Sequence, residues 1–185
     1  MKKLLFICLS VFLFGEYVMG QNADMSDSDY YNSALYLLTK KGDISKGQMY
    51  MDLAFQKGFG NTTPIVEIIQ INYNAAFDNR DKIGNPNHFY VPLFMCSGAL
   101  NYCTLTQNEK ELLYAIRGAS KLQIAISKRM EDPLSYYNCM GDLQMGGEEG
   151  RKIIEEFNAI TQKQQNRQKA PQGKRLKKDP NFKIE

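Results

Sequence analysis

Between Asp132 and Ile160 the sequence DPLSYYNCMGDLQMGGEEGRKIIEEFNAI restricts the fold more than any other stretch, because it reads as two helices joined by a tight turn. Asp132 followed by Pro133 is a helix start: a carboxylate to cap free N–H groups, then a ring already held at helical φ. Tyr136, Tyr137, Met140 and Leu143 recur at helical spacing and predict one inward stripe. Gly146 and Gly147 then break the helix, as residues that tolerate positive φ do just past a helix end. In the second helix Ile153, Ile154, Phe157 and Ile160 form the inner face, with Arg151, Lys152, Glu155 and Glu156 outside.

An earlier stretch, Ala34 to Gly58, has the same layout. Tyr30, Tyr31, Ala34, Leu35 and Leu38 give a helical stripe that stops at Lys40-Lys41-Gly42, cations near the negative end and glycine beyond. Ser45 is the expected cap of the next helix, with Met49, Leu53 and Ala54 inward and Lys57-Gly58 as a second stop. The small residues Gly47 and Ala54 mark where two helices would approach closely.

The two hairpins resemble the tetratricopeptide (TPR) family. There an aromatic precedes a small residue in the first helix, a glycine marks the turn and an aromatic in the second helix closes the pair. Tyr137, Gly141, Gly147, Phe157 and Ala159 occupy roughly those places. Tyr31, Leu35, Gly42, Met51 and Ala54 repeat the layout about a hundred residues earlier. The departures are Ile153, where the family usually has a small residue, and Gln144, where it often has an aromatic. The resemblance implies a short α-solenoid whose first helices line a concave groove that holds peptides or protein segments.

Between the hairpins, Thr62 or Thr63 caps and Pro64 opens a helix through Ile65, Ile68, Ile69, Ile71 and Phe77, ending near Asn79. Its β-branched residues would also suit a strand, but its length favours a helix. Asp78 to Asn87 reads as a loop broken by Gly84 and Pro86. His88 to Leu105 is apolar and helical, with an interruption at Pro92. Thr106 and Glu109 fit a capping box, and Leu112, Leu113, Ile116, Ala119, Leu122, Ile124, Ala125 and Ile126 carry the following helix to about Arg129. The prediction is an all-α domain of six to seven helices in antiparallel pairs.

The ends differ from this body. Met1 to Gly20 reads as a secretory signal: Lys2 and Lys3, an apolar core from Leu4 to Phe14, then Val18-Met19-Gly20 before Gln21. That core is shorter than the about 20 residues a membrane-spanning helix needs, so we expect an exported bacterial protein, periplasmic or secreted, with no transmembrane segment in the mature chain. From Gln162 to Glu185 the composition turns polar, with eight basic residues and two acidic ones. The last helix should fray near Lys169, leaving a disordered basic tail. The organisation expected is thus 1–20 signal, 21–161 helical domain and 162–185 tail.

Signal removal leaves Cys96, Cys103 and Cys139. On one helix Cys96 and Cys103 would stand roughly 10 Å apart, beyond the about 7 Å a disulfide spans between Cα atoms. A bridge would have to use Cys139; the alternative is three small buried thiols.

The residues that would carry catalysis are sparse. His88 is the one histidine in the chain, which excludes multi-histidine metal sites and predicts a partly exposed neighbour of Phe89 and Tyr90 rather than a base. The cysteines lack CxxC spacing, so neither a thiol–disulfide motif nor a zinc site is indicated. Glu148, Glu149, Glu155 and Glu156 could supply a carboxylate pair for a wall-directed hydrolase, yet they flank Arg151 and Lys152 as a solvated face does. The tail cluster Lys174-Arg175-Leu176-Lys177-Lys178 suits at most a weak contact with an anionic surface. It has no interleaved aromatics for nucleic acid. No cofactor is indicated.

The chain instead carries 11 tyrosines, a residue that pairs a broad apolar face with a hydroxyl and suits binding surfaces. Most should pack between helices; Tyr31, Tyr36 and Tyr137 are the candidates to line a partner groove. The expectation is a non-catalytic exported helical-repeat protein that binds a protein or peptide. The alternative is a compact helical inhibitor or immunity-type protein.

Overall fold

The computed structural model describes residues 25–61, 64–80, 86–128 and 133–169. The signal segment, the Thr62-Thr63 cap, most of the loop before Pro86, the Asp132 cap and the tail beyond Lys169 lie outside them. The described residues form seven α-helices and no strand: α1 Asp27–Tyr36, α2 Ile44–Gln56, α3 Ile65–Asp78, α4 Tyr90–Tyr102, α5 Gln107–Ser127, α6 Pro133–Met145 and α7 Gly147–Lys169. A π-helical turn, Leu37–Lys41, continues α1, and a 3-10 turn, Pro86–Phe89, leads into α4.

Helix ends follow local chemistry. Ser26 caps α1 and Thr106 caps α5, each in a reciprocal box with an acid three residues on, Asp29 and Glu109. Gly42 ends the π-turn at φ 69°, a left-handed conformation that glycine adopts without a Cβ penalty. The cap of α2 is Asp43, not Ser45: its carboxylate accepts from the Lys46 N–H at 3.1 Å, so the helix begins at Ile44. Pro92 does not interrupt α4. It sits in the first turn, where its missing N–H has no helical partner to lose. The turn of the last hairpin is a single residue, Gly146, after which Gly147 opens α7 at φ 60°.

Antiparallel hairpins pack side by side. α1 lies on α2, α2 on α4, α4 on α5 and α5 on α6, while α7 covers both α5 and α6; α3 lies on α4 and, less extensively, on α5. Ala34, Leu38, Met51, Phe55, Ile69, Met95 and Leu113 centre the main core. A satellite of Leu122, Cys139 and Leu143, covered by Met140, Ile153, Ile154 and Phe157, joins the last hairpin to α5. Several apolar residues expected inward face outward instead: Met49, Ile71, Ile126, Ile160 and, at 70% exposure, Tyr137. Met49 stands on the face of α2 opposite the buried Gly47, Met51 and Ala54, and Tyr137 on the face of α6 opposite the buried Cys139.

Glycine sets the spacing at the junctions. Gly47 meets the Leu38 side chain, Gly98 the Phe55 ring, and Gly118 the side chain and backbone of Leu143. A Cβ on Gly118 would lie 2.7 Å from Leu143 Cγ and 2.9 Å from its N, and one on Gly146 2.8 Å from Ala115 Cα. Gly141, by contrast, has nothing within 4 Å of its Cβ position.

The three cysteines form no disulfide: Cys96 and Cys139 are buried in different clusters and Cys103 is half-buried at the end of α4. Among the described residues no helix is long and apolar enough to cross a membrane.

The sign of a glycine substitution separates these roles. Gly118→Ala should cost about 1–3 kcal/mol by overpacking, while Gly141→Ala should gain about 0.5–1 kcal/mol from helix propensity alone. Urea unfolding of both variants checks this; stabilisation by Gly118→Ala would contradict the close-packed junction.

Candidate functional site

Three regions of the surface or core hold the polar chemistry. The first is a cleft of about 570 Å³ where the α2–α3 connection, the start of α3 and the α4–α5 connection converge. Pro64, Ile65, Val66 and Leu105 supply its apolar wall, and Asn61, Gln70 and Thr104 neutral polar groups. Glu67 and Glu109 are its charged residues, and no lysine, arginine or histidine lines it among the described residues. Gly60 makes the cleft by taking φ 100°, which lets the loop pass Cys103 and Ile65, whose atoms would stand 3.1 Å from a Cβ there.

Two titratable side chains of the lining are shifted from their ordinary values, in opposite directions. Burial pushes the Cys103 thiol above its ordinary value, and with no cation beside it in the lining the thiolate a nucleophile requires is disfavoured. Glu109 goes the other way. The hydrogen bonds its Oε2 accepts from the Thr106 hydroxyl and backbone N–H, each at 2.7 Å, hold its carboxyl below the ordinary range. A general acid needs the opposite shift.

The second region is an ion cluster between α5 and α6. Asp142, 6% exposed, accepts a bidentate pair from Arg117, Nε at 2.9 Å and Nη2 at 2.6 Å, and a third bond from Lys121 Nζ at 2.7 Å. Arg117 also lies over the Tyr114 ring, 5.0 Å from its centroid. Burial pushes the Asp142 carboxyl up, but the hydrogen bonds and charges of Arg117 and Lys121 outweigh it and leave it below the usual carboxylate range. Every oxygen of Asp142 is thus engaged, and the cluster ties two helices in register.

The third is the neighbourhood of His88, in the 3-10 turn before α4. The imidazole is half-buried, and burial followed by the charge of Lys40 pushes its pKa down, so it is neutral near pH 7. Glu148 and Glu149 both pair with Lys152, at 3.1 and 2.9 Å, on the exposed face of α7. Among the described residues no group of three His, Cys, Asp or Glu side chains is arranged to hold a metal ion.

The three tyrosines read from the sequence have different settings. Tyr31 belongs to the core edge: its ring stacks on Phe59 at 4.2 Å and its hydroxyl donates to Met95 Sδ at 3.9 Å. Tyr36 is 47% exposed, with Lys41 Nζ 5.6 Å from its ring centroid. Tyr137 projects from α6, in the last hairpin, whereas the other two stand on α1, in the first. Neither the cleft nor the Asp142 cluster was foreseen in sequence. The Thr106–Glu109 box, which places Glu109 at the cleft, was its one visible trace. Comparison of the chain with protein-family models, with curated proteins and with solved structures gave no match.

The Asp142 cluster makes a pH prediction. A carboxyl whose folded pKa is depressed stabilises the fold above its unfolded pKa, about 3.9, and that stability is lost as pH falls through the folded value. Asp142→Asn should therefore cost about 2 kcal/mol or more at pH 7, since it leaves Arg117 and Lys121 poorly matched. It should also flatten the loss of stability below pH ~4. Urea unfolding at pH 7 and in acid checks this; an Asn variant that tracks the parent at both would contradict it.

Proposed function

We propose that this is an exported, non-catalytic, TPR-like helical-repeat protein that binds a protein or peptide segment, and that the cleft beside Glu67 and Glu109 is where the segment seats. The observation that carries the reading is the composition of that cleft: an apolar wall, two carboxylates and no cation. A groove of this kind attracts a basic, partly apolar chain by charge and retains it by apolar burial. Nothing in it is poised to break a bond, with the Cys103 thiol held protonated and Glu109 committed to its helix cap. Export rests on the Met1–Gly20 segment, and the repeat reading on the two hairpins of like layout.

The test is binding of fluorescent peptides of alternating Lys and Leu, or Glu and Leu, to the chain from Gln21 to Glu185. The Lys-Leu peptide should bind, weaken with salt, lose about tenfold in affinity with Glu67→Lys, equivalent to ~1.4 kcal/mol, and be recovered intact by mass spectrometry. Equal binding of the Glu-Leu peptide, indifference to Glu67→Lys, or cleavage of the peptide would overturn the reading.

A further inference from the structure

Two features of opposite charge belong to opposite ends of this protein. One is the cleft, with Glu67 and Glu109 as its charged residues and Pro64, Ile65, Val66 and Leu105 as its apolar wall. The other is the sequence beyond Lys169, where Lys174-Arg175-Leu176-Lys177-Lys178 sets a leucine between two pairs of cations.

Helix polarity fixes those ends. α3 and α5 both begin at the cleft, which Ile65 and Glu109 line. They run the same way, since Ala76 of α3 and Ile124 of α5 share one apolar cluster. α6 runs back along α5, with Leu143 at Gly118 and Gly146 at Ala115. α7 reverses again: it opens with Gly147 against Glu111 and then packs Ile153, Ile154 and Phe157 around Leu122, Cys139 and Leu143. α3, α5 and α7 are therefore parallel. All three start at the cleft end, and the chain leaves α7 at the other.

The distance between them decides which copy's cluster can enter. A helix of 23 residues spans about 33 Å. Leu176 is seven residues past Lys169, at most about 25 Å of chain even at full extension. The cluster thus falls short of its own molecule's cleft. Lys183, the basic residue with the reach to return, stands apart from the cluster, between Asp179 and Glu185. A second copy has no such distance to cover, because the end of its α7 can face the cleft end of the first.

The chemistry matches on both counts. The cleft has two carboxylates and, among the described residues that line it, no lysine, arginine or histidine. Glu109 stays ionised near neutral pH, since the bonds from Thr106 hold its carboxyl below the ordinary range. Arg175 can grip a carboxylate through two N–H groups, and Leu176 meets an apolar wall.

We infer that the segment this cleft takes is the Lys174–Lys178 stretch of a second copy, so that the protein associates head to tail. The contact is heterologous: the tail of one copy enters the cleft of the next, and each pair keeps one cleft and one tail for further copies. Exposed charges and a single leucine make it weak and reversible, and salt loosens it. The inference rests on the cleft being a seat for a basic, partly apolar segment, and adds whose segment it is.

Sedimentation equilibrium of the chain from Gln21 to Glu185, taken up to ~1 mM, tests it. The parent should associate as concentration rises, and less at high salt. Glu67→Lys, at an exposed position, should weaken association at least tenfold. So should the combined change Lys174→Gln, Arg175→Gln, Lys177→Gln and Lys178→Gln. Mixing the two variants should recover a complex that stops at two chains, because one keeps its tail and the other its cleft. An excess of the alternating Lys-Leu peptide should dissociate the parent, a measurement that needs no variant to fold. A parent that is monomeric throughout, variants that associate as the parent does, a mixture no more associated than its parts, or oligomers indifferent to the peptide would each overturn the inference. If the peptide still binds a monomeric parent, the reading of the cleft stands and the inference alone falls.

Discussion

The packing of α5 against its neighbours is the constraint on which the other elements depend. α5 is the helix that α4, α6 and α7 all touch, and it does so through small residues: Ala115, Gly118, Ala119 and Ser120 are buried along it. Gly118 admits Leu143 from α6, and Ala115 lies under Gly146 in the turn that reverses the chain into α7. Helices this close exchange many weak dispersion contacts, which a gap of half an ångström would forfeit in large part. The Arg117 and Lys121 bonds to Asp142 add direction to that contact, because a bidentate pair fixes both the axial position and the rotation of α6. Apolar packing thus supplies the attraction and the ion cluster the register.

The same principle carries to the first hairpin with different residues. Gly47 takes Leu38, Gly98 takes Phe55, and an aromatic series links α1, α2 and the loop beyond it: Tyr30 with Tyr50, Tyr31 with Phe59, and Phe59 with Phe55. Polar links close the edges, with Tyr102 on α4 between Asp52 and Gln56 of α2. The result is a stack whose cleft lies between connections. The cleft exists because the α2–α3 and α4–α5 connections end together there, beside the start of α3.

The hairpins themselves were legible in the sequence because their signals are local. Ser26, Gly42, Thr106 with Glu109, and Gly146-Gly147 each act within four residues of where they stand. The apolar stripes locate the inner faces to within a residue or two. What stayed hidden depends on distant partners. Asp142 reads as a solvated acid until Arg117, 25 positions earlier, is brought beside it. Ile160 shares the period of the half-buried Ile153 and Phe157 yet is exposed, and Tyr137 falls on the face of α6 away from the buried Cys139 and Leu143. Asp43 displaced Ser45 as a cap because the left-handed Gly42 ends the preceding turn just before it. The cleft could not be read at all, since its wall comes from segments about forty residues apart.

Whether the seven helices are one cooperative body or a string of separately opening hairpins is the point on which this account stands. Residue-resolved native-state hydrogen exchange measures it directly. The amides of α4, α5 and α6 should share one opening free energy, equal to that of global unfolding, with lower values only toward the start of α1 and the end of α7. Exchange of α6 and α7 at a free energy far below that of α4 and α5 would show that the glycine junctions and the Asp142 cluster do not bind the hairpins together, and would contradict it.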